Sequence, residues 1–504
     1  VAKGVSGAEV ARFVEHQLDA SGRVTPVGKL KGQRQFSTPD ILAEEQSIVA
    51  TANALASGKS HQLTTAGITA RLSIGSMGAV RDWFRLRNGD GSEQHNALRY
   101  LVCDSGQVCI LDGQKSERLP VLTKATSFWE ASGYTVLGTS PSARATQSFE
   151  KQTGAPSITL GSLLWRAEQD ASLTAGAKHT VKQIVREAAG RYIGLYPWQR
   201  KKLLDAKTIV LVDKAEQLST QDLGSLLTHV KRAGAKLVLS GDSQLIHSIE
   251  RGAPFGRLCS DLRKAQLTRG SKPVEQIRSG KSEELLRDLA NAGRLQIAKT
   301  RAEAMERLVA DWHSNGGSRN PAANLIVANS KAEAKRLNDL ASRKVRSELG
   351  NHGDSIILPS GEKVCEGDRI LCERGNKRYA ISAGELGTLL SVSRRLNAIR
   401  VRLDSGHTAT IPLDSYKHVT RGFAVTTWQS SECENSYVLL GGGFENKQAA
   451  LVKASQSQII YGYADQASAG EKLERLQKQL IADRRKRLAT DIHRDNGQER
   501  EVQP

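Results

Sequence analysis

Between residues 76 and 265 the chain repeats one pattern: a short unbroken apolar run, a polar turn, then a stretch with apolar residues at helical spacing. The runs are Val108–Leu111, Thr135–Gly138, Thr208–Val212 and Lys236–Ser240. A strand with one wet face alternates apolar and polar residues. A strand that is apolar throughout is buried on both faces, so these runs predict a parallel sheet covered by helices. A second set, Leu325–Ala328, Tyr437–Leu440 and Ile459–Tyr463, predicts a second domain of the same kind. Between them, residues 352–420 switch to short alternating strands punctuated by Gly, Asn and Asp. That change predicts a small antiparallel β-barrel, SH3-like in size, inserted in the second domain.

The flanks differ from this core. Residues 1–75 read as a helical module in which "RQFSTPDILAEEQSIVATANALASG" opens on a Ser-Thr-Pro-Asp start signal. Helices around a short basic extended piece fit a winged-helix-like unit or a simple packing module. Residues 468–504 read as a charged helix followed by a polar, disordered end. The expected organisation is therefore this N-terminal module, a first α/β domain over 76–265, and a second over 266–351 and 421–467. The barrel occupies 352–420, and the tail completes the chain.

Composition narrows the function. With 504 residues the chain exceeds one core, and about 150 residues per domain suggests roughly three or four. The net charge of +19 favours a polyanionic partner, nucleic acid first, over a chain that is merely soluble and basic. The six cysteines form no Cys-x-x-Cys pair, and the eleven histidines form no cluster. We therefore expect no metal, no disulfides and a reducing, cytoplasmic location. No apolar run approaches the roughly 18 residues of a membrane span, so no membrane insertion is expected.

Several segments in fixed order resemble superfamily 1 helicases of the RecD-like branch. "SEQHNALRYLV" (92–102) resembles the Gln motif, with Gln94. "TSPSARATQSFEKQTGAPSITLGSLL" (139–164) resembles the next block, and "TIVLVDKAEQLS" (208–219) stands at the Asp-Glu motif. "LVLSGDSQLIHSIERGAPF" (237–255) resembles the Gly-Asp-x-x-Gln block, and "RGFAVTTWQSSECENSYVLL" (421–440) the Thr-x-His-Lys-Ser-Gln-Gly block. Within that branch the sequence is similar to the helicase portion of MobF-class conjugative relaxases, the TraI/TrwC/TraA group. The resemblance implies two RecA-like P-loop-type domains and a path for single-stranded DNA across them. It also implies relaxosome or type IV secretion coupling proteins as further partners.

The chemistry of ATP hydrolysis can be checked position by position. A P-loop reads Gly-x-x-x-x-Gly-Lys-Ser/Thr, whose backbone N–H groups cradle phosphates while Lys and the hydroxyl serve β/γ-phosphate and magnesium. Aligned on Gly113, the glycine positions hold Ser116 and Arg118, the Lys is Leu119 and the hydroxyl is Pro120. The Asp-Glu pair is Asp213-Lys214, and Lys cannot orient the attacking water as a carboxylate would. Gly241 and Asp242 remain, but Leu245 stands at the Gln position; the arginine-finger segment reads Lys453 to Gln458, with Gln456 at the finger. The sequence therefore predicts a degenerate nucleotide site with no cofactor and no catalytic residue.

On the strand path, Pro141, Ser142 and Arg144 match the backbone-gripping block and Thr159 and Ser162 the block after it. Asn329 ends the first strand of the second domain, Thr426 matches a strand-contacting Thr, and Trp428 offers a stacking face. Each has a plainer alternative: Thr159 and Ser162 as helix caps, Trp428 as core. In TraI-type relaxases a catalytically dead helicase copy binds single-stranded DNA, and this sequence is similar to that copy in "VDKAEQLS". Elsewhere it matches TrwC/TraA-like sequences whose copy is active. Three readings follow: a non-catalytic single-stranded DNA-binding domain, a scaffold docking partners through the barrel or the Arg484–Arg487 run, and a divergent working helicase.

Overall fold

The computed structural model describes residues 7–30, 33–63, 92–174, 202–245, 252–349, 354–379, 381, 383–427, 429–430, 433–442, 445–484 and 488–494. All four apolar runs of the first domain form strands of one six-stranded sheet. Its order is Ser157–Thr159, Thr135–Ser140, Thr208–Asp213, Lys236–Gly241, Val108–Asp112, Lys264–Gln266. Every pairing is parallel.

The period-2 alternation of strand side chains divides these apolar runs between two cores. Cys109, Leu111, Ile209, Leu211 and Val238 face Leu122, Trp129 and Phe149. Val108, Ile110, Val210, Val212, Leu237 and Leu239 face Leu163, Leu226 and Phe255. The second core also takes Ile48, Ala52 and Leu55 from the helix Pro39–Ala56. That helix starts as its sequence signal reads, with Thr38 accepting from Ile41 N at 3.4 Å and proline in the first turn. It covers the first sheet rather than packing inside a separate module.

The second domain is a five-stranded sheet in the order Ala424–Thr426, Asn324–Ala328, Cys433–Leu439, Ser457–Asp465, Leu295–Ala298. It too is parallel throughout, and cores cover both faces. The chain thus has the two RecA-like α/β domains expected. The antiparallel character of the insert is also as read, with strands in the order Thr408–Pro412, Ala398–Leu403, Glu385–Ser393, Arg369–Cys372, Val419–Arg421. This sheet has its own core around Ile370, Leu389, Ile399, Val401 and Ile411. Among the described residues no ladder joins its two outer strands, so hydrogen bonding does not close it into a barrel.

The tail holds a charged helix, Glu474–Ile481, that packs on the second domain. It buries Leu476 and Leu480 there. Beyond it, Thr490 N donates to Glu45 at 3.0 Å, and Arg257 pairs with Asp491 at 2.6 Å. The chain end therefore returns to the first domain. Arg485, Lys486 and Arg487 of the basic run lie outside the described residues. No described helix is long and apolar enough to cross a membrane.

A closed nucleotide site and a candidate nucleic-acid edge

Strand Val108–Asp112 is joined to helix Lys115–Ala131 by two residues, Gly113 and Gln114. Gly113 has φ of 157°, and a Cβ there would sit 2.7 Å from the Cβ and carbonyl oxygen of Leu267. Only glycine fits that approach. Because the helix begins at once, Lys115 to Pro120 are helical and cannot curl round a phosphate. Leu119 packs against the core, and Pro120 lies inside the helix, where its missing N–H removes one ladder bond. Glu117 sits in the first turn, held by Gln94 Nε2 at 2.7 Å. A carboxylate there uses the positive helix end that would otherwise favour an anion.

Arg118 turns inward and is 3% exposed. Its Nε donates to the Gly113 carbonyl at 2.8 Å, and its Nη1 donates to Asp213 at 3.1 Å and to Ser240 Oγ. Asp213, at the end of strand Thr208–Asp213, is the residue expected to hold magnesium. Its carboxylate is instead paired with a guanidinium, and both side chains are almost wholly buried. Two neighbours are treated alike. Asp112 pairs with Lys264 at 2.8 Å and accepts from Ser243. Asp242 pairs with Arg278, from helix Lys272–Arg278.

A magnesium nucleotide is what the resemblance implies here, and these residues do not fit one. Three aspartates already hold three cations, Leu119 and Pro120 supply neither ammonium nor hydroxyl, and the phosphate position has no loop.

Among the described residues a fourth carboxylate forms no ion pair. Glu216 is buried beside Arg118, Asp213 and Asp242 and accepts from Asp242 N at 3.2 Å. Burial, with Asp213 and Asp242 adding to it and Arg118 opposing, pushes its carboxyl up to about 7. Lys214, preceding it, adopts a left-handed φ of 58°, so the chain turns sharply after Asp213 and brings Glu216 back under the strand ends. Sequence reasoning passed over Glu216, although an acid three residues after Asp213 was visible. Arg278 and Lys264 carried no signal, since each reaches the cluster from a distant part of the chain.

In the second domain Gln456 caps helix Lys447–Ser455 and accepts from Ser430 Oγ. Lys453 is buried against Glu445 at 2.9 Å and donates to Asn329 at 2.6 Å. Asn329 in turn donates to the Gly441 carbonyl at 2.6 Å. Asn329 is therefore a member of an internal network.

The remaining strand-path residues gather at carboxyl ends of parallel strands, where open α/β sheets bind ligands. Ser140 and Thr159 are partners in the edge strand Ser157–Thr159 and its neighbour, with Pro141 and Ser142 following Ser140. Ser142 accepts from Ala145 N at 3.2 Å and so caps helix Ala143–Thr153. Arg144 lies in that helix; its side chain is outside the described residues, as is Trp428. Thr159 Oγ1 donates to Ser162 Oγ at 2.9 Å and accepts from Ser162 N at 3.4 Å, the capping arrangement for helix Leu160–Thr174. Thr426 is paired with Ala328 at the edge of the second sheet and is bonded to Gln429 at 2.8 Å. Thr159→Ala is expected to cost about 1 kcal/mol through the lost cap alone. Chemical denaturation would read that cost; an unchanged midpoint would leave Thr159 no capping role.

An AAA domain family model matches residues 91–300, the span that contains the whole first sheet and the Arg118 cluster. Conjugal transfer protein TraA of Agrobacterium fabrum is 24% identical over 436 residues, 84% of this chain and 35% of TraA. The chain is related to TraA. The TraA of Rhizobium radiobacter is 24% identical over 360 residues, 69% of this chain and 30% of its own length. The chain thus spans about a third of the length of these TraA relatives. Among solved structures, Bacteroides Pif1 helicase in complex with ADP-AlF3 and ssDNA aligns at 12% identity with a TM-score of 0.45, over 82% of this chain and 97% of that one. A structure of forked dsDNA unwinding by two coordinating Pif1 helicases aligns at 14% identity and 0.44, over the same shares.

Proposed function

We propose that this segment binds single-stranded DNA without hydrolysing ATP, as a vestigial helicase domain of a conjugative relaxase. The observation that carries the reading is Arg118, whose guanidinium fills the phosphate end of the first sheet and takes the carboxylate of Asp213. The net charge of +19 supports a polyanionic ligand, and the relation to TraA supports conjugal DNA transfer as its setting. Relaxosome or type IV secretion coupling proteins are the accompanying protein partners in this reading, and the cytoplasm its compartment.

The test is anisotropy of a labelled oligo-dT over a KCl series, with and without Mg-ATP, alongside phosphate release and thermal melting. Binding should weaken linearly on a logarithmic salt scale, by about 0.7 in slope for each phosphate neutralised. Mg-ATP should change neither the affinity nor the melting temperature, and no phosphate should appear. Nucleotide-dependent affinity with phosphate release would establish a divergent working helicase instead.

A further inference from the structure

Three tryptophans lie among the described residues, and they are not alike. Trp129 and Trp312 are fully buried, and Trp312 donates its indole N–H to the Asn324 carbonyl at 3.0 Å. Trp165 is 63% exposed. Trp is among the residues enriched where binding energy concentrates at interfaces.

The place is specific. Trp165 is in the second turn of helix Leu160–Thr174, whose Leu160, Leu163 and Ala167 face the core. It therefore projects from the outer face, with Ser162 on the same side. Side chains on a helix lean toward its N-terminus, which carries the indole over Gly161, one turn earlier. A Cβ at Gly161 would meet no described residue within 4 Å. Beyond Gly161 lie Thr159 and, on the neighbouring strand, Ser140 with Pro141 and Ser142.

This face carries charges of both signs. Asp170 accepts from Leu203 N at 2.9 Å and Glu168 is turned to His229 at 3.4 Å, while Arg166 is exposed next to Trp165.

We propose that Trp165 is a base-stacking platform for single-stranded DNA at the outer edge of the first sheet. The inference rests on the DNA-binding reading above and assigns it a residue that supplies affinity from bases rather than phosphates. An aromatic face accepts any unpaired base, so the contact needs no sequence preference.

The experiment compares two labelled strands on the full chain: oligo-dT and an abasic oligonucleotide of the same length, which keeps every phosphate and lacks bases. The wild type should prefer oligo-dT. Trp165→Ala should weaken oligo-dT roughly 5- to 150-fold, the equivalent of about 1–3 kcal/mol for one stacked base. It should leave abasic affinity, the salt slope and the melting temperature unchanged, and Trp165→Phe should keep most of the preference. If the wild type binds oligo-dT and Trp165→Ala binds it equally well, the platform is overturned while the DNA-binding reading stands, and the exposed indole belongs to a protein contact. If the wild type binds neither strand at low salt, both fall.

Discussion

Replacing Arg118 with alanine is expected to lower the stability of the first domain by about 3–5 kcal/mol, the cost of leaving one partner of a buried ion pair behind. The guanidinium joins three elements: the Gly113 carbonyl after strand Val108–Asp112, Asp213 at the end of strand Thr208–Asp213, and Ser240 on strand Lys236–Gly241 between them. Alanine removes all three bonds and leaves Asp213, whose side chain is 2% exposed, without its cation. The double variant Arg118→Met, Asp213→Leu should recover much of the loss, because well-packed apolar groups often replace a buried pair at little cost. Urea denaturation followed by tryptophan fluorescence measures both. Equal midpoints for the wild type and Arg118→Ala would mean that Arg118 does not hold the strand ends together. The alanine variant is not expected to gain ATP binding. Leu119 and Pro120 still offer no ammonium and no hydroxyl.

The cluster explains why the nucleotide site was only half legible. Leu119, Pro120 and Lys214 stood out in the sequence because the motif fixes which chemistry each position should carry. What filled the space could not. Aligned on the loop motif, Arg118 stands at a glycine position, where nothing pairs it with Asp213. The helix, however, begins directly after Gln114, which rotates residue 118 onto the inner face. A motif alignment assumes the loop is present; the two-residue linker removes that assumption.

The fold was legible where burial was complete. Val108–Leu111 and Thr208–Val212 are apolar without a break, and the two-sided cover this requires left a parallel sheet as the reading. The edge strands Ser157–Thr159, Lys264–Gln266 and Leu295–Ala298 were missed because three or four half-covered residues give no periodicity. The packing of the tail was hidden for a different reason. Its charges dominate the composition, yet Leu476, Leu480, Leu488 and Ile492 are spaced along it and all are buried. Charge on the outer face of a helix says little about the inner one.

Glu216→Gln is expected to stabilise the protein at pH 8 and do almost nothing at pH 4. The glutamate is buried among Asp213, Asp242 and Arg118, and burial is the main reason its carboxyl titrates near 7 rather than the usual 4.5. A group whose folded pKa is raised contributes its full stability below the unfolded value and loses it as pH climbs through the folded one. Glu216 therefore supports the fold below about pH 4.5 and progressively less up to about 7, where the ionised form must be held without a cation. The whole change is about 3 kcal/mol at 1.36 kcal/mol per pH unit. Glutamine has nearly the same shape, can keep the acceptor for Asp242 N, and does not ionise. The difference in stability between variant and wild type should thus rise from near zero at pH 4 to about 3 kcal/mol in the variant's favour at pH 8. Paired urea titrations at pH 4, 6 and 8 would read it, since ionisations elsewhere cancel between the two proteins. A difference that stays constant with pH would mean that Glu216 is ionised throughout and draws on Arg118 as Asp213 does. The three aspartates would then not be sharing the three cations one to one, and the account of a self-neutralised site would have to be abandoned.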